Sequence, residues 1–87
     1  MAEVDIYTSF FCGFCYRAKS LLDRKEAKYN EIDIMLHPSR RAEMIERTAG
    51  KTSVPQVFIN GAHIGGSEEL LALDQEGRLD DLLAGAP

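Results

Sequence analysis

Glu3-Val4-Asp5-Ile6-Tyr7-Thr8, followed after three residues by Cys12-Gly13-Phe14-Cys15, is the stretch whose reading decides the fold. Its first six residues alternate polar and apolar side chains, the period of a half-buried strand that offers Val4 and Ile6 to one side. Cys15, Ala18, Leu21 and Leu22 then recur at helical spacing, which predicts a helix from Cys12 to about Arg24 or Lys25, with Lys19, Asp23 and Glu26 facing outward. A strand thus runs into a short loop, and the loop opens a helix at the first of the only two cysteines in the chain. A thiol attacks a disulfide as its thiolate, and the unpaired amides and macrodipole at a helix start favour negative charge. Thiol and disulfide exchange is therefore the expected chemistry, with Cys12 as nucleophile. Cys15, one turn deeper, gains less from that field and is the expected resolving thiol. A helical separation of three residues brings the two sulfurs within disulfide reach.

Outward from this stretch, β-branched and aromatic residues return over residues 29–34 after the charged break Asp23-Arg24-Lys25-Glu26, which predicts a second strand. Strand, helix and strand make a βαβ unit that closes as a right-handed parallel pair. His37-Pro38 starts the next helix, Gly50 ends it, and Ala42, Met44, Ile45 and Ala49 are its apolar members. Residues 54–59 read as a third strand, and Asn60-Gly61 as a hairpin turn into a short antiparallel strand over residues 62–64. Gly65-Gly66 breaks that strand, and Ser67 is placed as the N-cap of a helix carrying Leu70, Leu71 and Leu73. Past Gly77, Leu79, Leu82 and Leu83 suggest a last helical turn before Ala84-Gly85-Ala86-Pro87 frays. The order βαβαββα plus a terminal helix predicts an α/β fold, a four-stranded mixed sheet flanked by helices, with residues 1–87 forming one domain.

Composition excludes several classes of function. The 87 residues are 45% apolar and 28% charged, with no apolar run long enough to span a bilayer, so no membrane partner is expected. The opening residues lack the basic and apolar regions of a signal peptide, and a cytoplasmic location is expected. In that reducing compartment a lone CxxC pair is not a permanent staple. Zinc is not expected either, because four ligands are needed and His37 and His63 lie among turn residues, away from the cysteines. A net charge of −4 argues against nucleic acid. The acid is concentrated after residue 51, where Arg78 alone faces Glu68, Glu69, Asp74, Glu76, Asp80 and Asp81, the pattern of a solvated helical face.

Two further features bear on function. Val54-Pro55 begins a strand, and the sequence does not assign its isomer. A cis bond there would turn the backbone of Val54 outward to an extended peptide, in the manner of strand addition. Gly65-Gly66-Ser67-Glu68 reads as a strand-to-helix turn, and also as a helix N-terminus able to hold an anion.

Tyr7-Thr8 before the thiols, Cys12-Gly13-Phe14-Cys15, Ser53-Val54-Pro55-Gln56-Val57-Phe58-Ile59 and His63-Ile64-Gly65-Gly66-Ser67-Glu68-Glu69-Leu70 together resemble the glutaredoxins, in their small bacterial dithiol form. The resemblance runs nearly end to end. It implies a thioredoxin fold with a cis-proline at Pro55, and reduction of protein disulfides and glutathione mixed disulfides at the expense of glutathione. Cys12 would carry glutathione as a mixed disulfide, released by a second glutathione or by Cys15. The family's glutathione site maps onto Val54, which pairs with the tripeptide backbone, and onto Ser67 and Glu68, which receive its γ-glutamyl end. Thr52, Ser53 and Pro55 border that groove. The implied partners are glutathione and disulfide-bonded or glutathionylated proteins, with the chain itself a monomer.

The sequence departs from the family pattern at three places. Ser9 stands where a lysine is common, and Arg41 and Lys51 are the candidates to replace that cation. Phe14 replaces a frequent tyrosine; with Phe11 and Gly13 it is expected at the active-site rim, while Phe10 is expected in the core. Gly13 replaces a frequent proline. Relatives with a CGFS motif bind a two-iron two-sulfur cluster between two protomers through the first cysteine of each and two glutathiones. Gly13 and Phe14 match them while Cys15 does not, so cluster binding through Cys12 is the alternative that the resemblance carries. Reduction by a flavin reductase, as in thioredoxin, fits less well because Val54, Ser67 and Glu68 match a glutathione groove.

Overall fold

The alternation before the thiols and the two short apolar runs later in the chain assemble one mixed sheet. The computed structural model of the protein describes residues 2–85; of the stretch expected to fray, Ala84 instead ends the last helix and Gly85 caps it, while Ala86 and Pro87 lie outside the described residues. The elements are β1 (Val4–Thr8), α1 (Gly13–Arg24), β2 (Asn30–Asp33), α2 (Ser39–Arg47), β3 (Gln56–Ile59), β4 (Ala62–Gly65), α3 (Ser67–Gln75) and α4 (Leu79–Ala84). The four strands lie in the order β2-β1-β3-β4. β1 pairs parallel with β2, Tyr7 opposite Ile32, and antiparallel with β3, Ile6 opposite Val57. β3 and β4 form the hairpin, with a register shift at Val57/Phe58.

Period two divides β1 between two cores. Val4 and Ile6 pack with Ala18, Leu21 and Leu22 of α1, Val57 and Ile59 of β3, Leu70 of α3 and Leu79 of α4. Tyr7 faces the other way, into a smaller core with Ile32, Ile34, Phe58 and Met44 of α2. α1, α3 and α4 thus cover one side of the sheet, and α2 the other.

Met44 is the one fully buried residue of α2, so polar contacts supplement its docking. The Tyr7 hydroxyl donates to Glu43 and accepts from Arg47 Nη1 at 2.9 Å. The Arg47 guanidinium also stacks 3.9 Å above the Phe58 ring, an attractive arrangement for a cation over an aromatic face. Arg40 grips Glu43 through two bonds of 2.9 Å each, and with Tyr7 it holds that carboxyl below its usual range.

Several boundaries differ from the sequence reading. α2 is shorter than residues 37–50 because Ala49 takes a left-handed φ of 59° and Thr48 caps the helix. Ala42 and Ala49 are exposed, not apolar core. β3 begins at Gln56 rather than Val54, consistent with a proline at 55 that has no N–H for the ladder. Lys19, expected to face outward, is half-buried and donates to Glu31 at 2.9 Å, beside the Thr8 hydroxyl that donates to the same oxygen. The N-cap of α3 is Gly66, with Ser67 the first helical residue.

Leu70 fastens α3 to the larger core and is 0% exposed. Leu70→Ala is expected to lower stability by about 2–5 kcal/mol, a transfer loss plus a cavity. Urea unfolding followed by circular dichroism checks this.

Candidate functional site

Cys12 is the N-cap of α1, with extended backbone (φ −109°, ψ 104°), and its Sγ accepts the Cys15 N–H at 3.2 Å. One amide left unpaired by the helix start is therefore spent on the sulfur. The Cys12 thiol is partly exposed and lies 3.8 Å from the Val54 carbonyl oxygen, to which it donates. Cys15, also a free thiol, is 2% exposed. Burial first, and then the hydrogen bond with the neighbouring Cys12 side chain, push its thiol up to about 12. The two sulfurs are adjacent yet occupy unlike surroundings.

The Val54-Pro55 peptide is cis, the isomer that the resemblance implies. Beside it opens a cavity of about 280 Å³ lined by Phe14, Lys51, Ser53, Val54, Pro55, Gln56 and residues 65–69. Of the residues assigned from sequence to a glutathione groove, Lys51, Ser53, Val54, Pro55, Ser67 and Glu68 line this one cavity. Thr52 is exposed outside the lining, and Arg41 is exposed on α2, also outside it. Phe11 and Phe14 are exposed and Gly13 has open space where a Cβ would stand. Phe10 is not in the core: it is 53% exposed, because β1 ends at Thr8 and its inward alternation does not extend to residue 10. Ser9, Phe10 and Phe11 line a second hollow with both cysteines, on the side of Lys19 and Glu31.

The far wall is the start of α3. Its first amides, those of Ser67 and Glu68, have no carbonyl within the helix to meet. Glu69 stabilises the turn by accepting the Gly66 N–H at 2.6 Å. Gly65 has a φ of +123°, and a Cβ there would sit 2.7 Å from Glu69 Oε1, so both backbone and space require glycine.

Sequence reading missed Gln56, Glu69 and Thr48. Glu69 stands three places after Gly66, the capping-box spacing, which placing the cap one residue later at Ser67 concealed. Gln56 was the only polar side chain within a strand-like run, and Thr48 carried no signal beyond its place near a helix end.

A CxxC pair at a helix start, facing a cis-proline loop at the end of the two central strands of a mixed sheet, defines a thiol-disulfide oxidoreductase of the thioredoxin fold. The family model for glutaredoxin matches residues 4–64. The chain is 49% identical over 83 residues to glutaredoxin 3 of Escherichia coli strain K12, covering 95% of this chain and 99% of that one. Among solved structures it is similar to the buckwheat glutaredoxin-glutathione complex, with a TM-score of 0.83 and 30% identity over 92% of this chain and 74% of the other. It is also similar to a glutaredoxin structure concerned with metal binding of glutaredoxins, with a TM-score of 0.71 and 53% identity over 95% and 89% of the two chains. The chain belongs to the glutaredoxin family, and it is a glutathione-dependent disulfide oxidoreductase.

The buried thiol has a consequence for alkaline stability. Below pH 9 Cys15 is protonated both folded and unfolded, so it adds no pH dependence. Between its ordinary value of 9.0 and about 12 the unfolded chain releases the proton while the folded chain keeps it. Stability then falls as pH rises, at ~1.4 kcal/mol per pH unit relative to Cys15→Ala. Denaturant titrations of both proteins between pH 8 and about pH 11 check the sign and slope.

Proposed function

We propose that this chain reduces glutathione mixed disulfides and protein disulfides, with Cys12 as nucleophile and Cys15 as resolving thiol. The observation that carries the reading is the partly exposed Cys12 sulfur at the start of α1, 3.8 Å from the carbonyl of a cavity-lining residue. The Cys12 thiolate attacks the glutathione sulfur of a mixed disulfide. The new bond is Cys12-S–S-glutathione, and the substrate leaves as a thiolate that takes up a proton. A second glutathione thiolate then displaces Cys12, leaving glutathione disulfide. Alternatively Cys15 gives up its proton, bonds to Cys12 Sγ and releases reduced glutathione.

In this reading the tripeptide lies in the 280 Å³ cavity. Its backbone pairs with Val54, its γ-glutamyl end meets the first amides of α3 and the Glu68 carboxylate, and its glycyl carboxylate meets Lys51. Lys51 takes the place of the cation missing at Ser9, and Arg41, away from the cavity, has no part. Ser53, Thr52 and Pro55 border the groove, and Phe10, Phe11 and Phe14 face the protein substrate. One domain acting as a monomer in the cytoplasm suffices for this chemistry. Among the described residues no helix is long and apolar enough to cross a membrane.

A second reading is favoured by the similarity to the metal-binding glutaredoxin structure and by the open space at Gly13. Among the described residues no three His, Cys, Asp or Glu side chains form a metal-binding group. A two-iron two-sulfur cluster therefore fits only when shared, with Cys12 from each of two protomers and two glutathiones. Anaerobic reconstitution with glutathione gives a coloured dimer if this holds, and a colourless monomer if it does not.

For the enzyme reading, Cys12→Ser is expected to reduce turnover of a glutathionylated peptide to the uncatalysed level. Cys15→Ser keeps most of that turnover and loses only reduction that proceeds through the Cys12–Cys15 disulfide. Coupled assays with glutathione and its reductase separate the outcomes, and activity persisting in Cys12→Ser overturns the assignment.

A further inference from the structure

The cavity wall formed by Lys51, Ser53, Val54 and Pro55 lies before β3 and is not held by the strand ladder. Two buried polar side chains hold it instead. At its beginning, Thr48 Oγ1 accepts the Lys51 N–H at 3.0 Å and donates back to the Met44 carbonyl at 2.9 Å. At its end stands Gln56, 3% exposed, whose Nε2 donates to the Ser53 carbonyl at 3.0 Å. The other end of the same carboxamide, Oε1, lies 2.7 Å from His63 Nε2 on β4.

These contacts fix one another's polarity. A carbonyl oxygen only accepts, so the amide nitrogen of Gln56 must face Ser53 and its oxygen must face His63. That oxygen also only accepts, so His63 must carry a hydrogen on Nε2. The His63 ring is itself held by the Phe58 ring, with centroids 5.0 Å apart and planes inclined by 32°. A chain of contacts therefore runs from β4 through Gln56 to Ser53, the residue immediately before the one whose carbonyl meets Cys12.

We propose that Gln56 is a positioning residue for substrate binding: oriented by His63, it holds the Ser53 carbonyl so that Val54 presents its backbone to the cavity. The inference rests on the reading of that cavity as the glutathione site. Gln56 acts before chemistry, on the shape of the bound state: it touches neither cysteine, and the Cys12 sulfur keeps its place at the helix start and its Cys15 N–H bond. Its loss is therefore expected in KM and not in kcat.

The test compares steady-state kinetics on a glutathionylated peptide for wild type, Gln56→Leu, Gln56→Glu and His63→Phe. Gln56→Leu removes both bonds and is expected to raise KM about tenfold, equivalent to ~1.4 kcal/mol, with kcat within about twofold. Gln56→Glu keeps the shape but, as a carboxylate, has no hydrogen for Ser53, and raises KM similarly. His63→Phe keeps a ring against Phe58 and loses only the Nε2 hydrogen, giving a smaller rise of about threefold. The rate at which iodoacetamide alkylates Cys12 should match wild type in all three, a readout that general disruption of the fold would move. An unchanged KM in folded Gln56→Leu overturns the proposal; if that variant does not fold, unchanged KM in both Gln56→Glu and His63→Phe overturns it. Lys51→Met and Glu68→Gln distinguish the two layers of the argument. If these also leave KM unchanged, the cavity reading fails; if they raise it while the Gln56 and His63 variants do not, only the role of Gln56 fails.

Discussion

The contact on which the site depends is the meeting of a helix start with a stretch of backbone that no strand ladder holds. Cys12 is placed by α1, which the larger core fixes through Ala18, Leu21 and Leu22. Val54 belongs to the segment that precedes β3, and that segment is placed by Thr48 and Gln56. The 3.8 Å separation of Cys12 Sγ and the Val54 carbonyl is the point at which these two independently anchored pieces come together. The sheet supplies the common frame, because β1 leads into the thiol loop and β3 leads out of the cis-proline loop, and the two strands are neighbours.

The same frame makes the thiols unequal. A helical spacing of three puts Cys15 on the face of α1 that turns toward the sheet, with Ala18 and Leu22, and leaves Cys12 at the end of the helix. Burial pushes the Cys15 thiol up, while Cys12 is partly exposed beside the Val54 carbonyl. The unlike surroundings of the two sulfurs thus follow from their positions along one helix.

Much of this was legible because it follows from periodicity and from residues with few conformational options. The alternation in residues 3–8, the helical recurrence after Cys12 and the Asn60-Gly61 turn gave the element order and the antiparallel hairpin. The cavity residues Val54, Pro55, Ser67 and Glu68 were legible through the family resemblance, since three separate segments contribute them and no local pattern joins them. Phe10 was misjudged because an apolar ring looks like core wherever it stands, and only the end of β1 at Thr8 sets it outside. Arg41 and Lys51 were indistinguishable as charges. Which of them reaches the cavity depends on the left-handed turn at Ala49 and Gly50, whose φ values of 59° and 106° redirect the chain after α2.

That turn also explains why the second wall of the cavity could not be read from its own residues. Once the chain leaves α2 in a left-handed conformation, Lys51 and Ser53 carry their backbone groups into a region without a neighbouring strand. There the partners of the Lys51 N–H and the Ser53 carbonyl are side chains from flanking elements. Thr48 serves from the end of α2, and Gln56 from the first residue of β3. Gln56 pays for its own burial only because His63, across the hairpin, satisfies its remaining oxygen. The polar residue within an otherwise apolar strand is thus the consequence of a loop that has given up its ladder, and the strand register that brings His63 opposite Phe58 is what makes that residue tolerable.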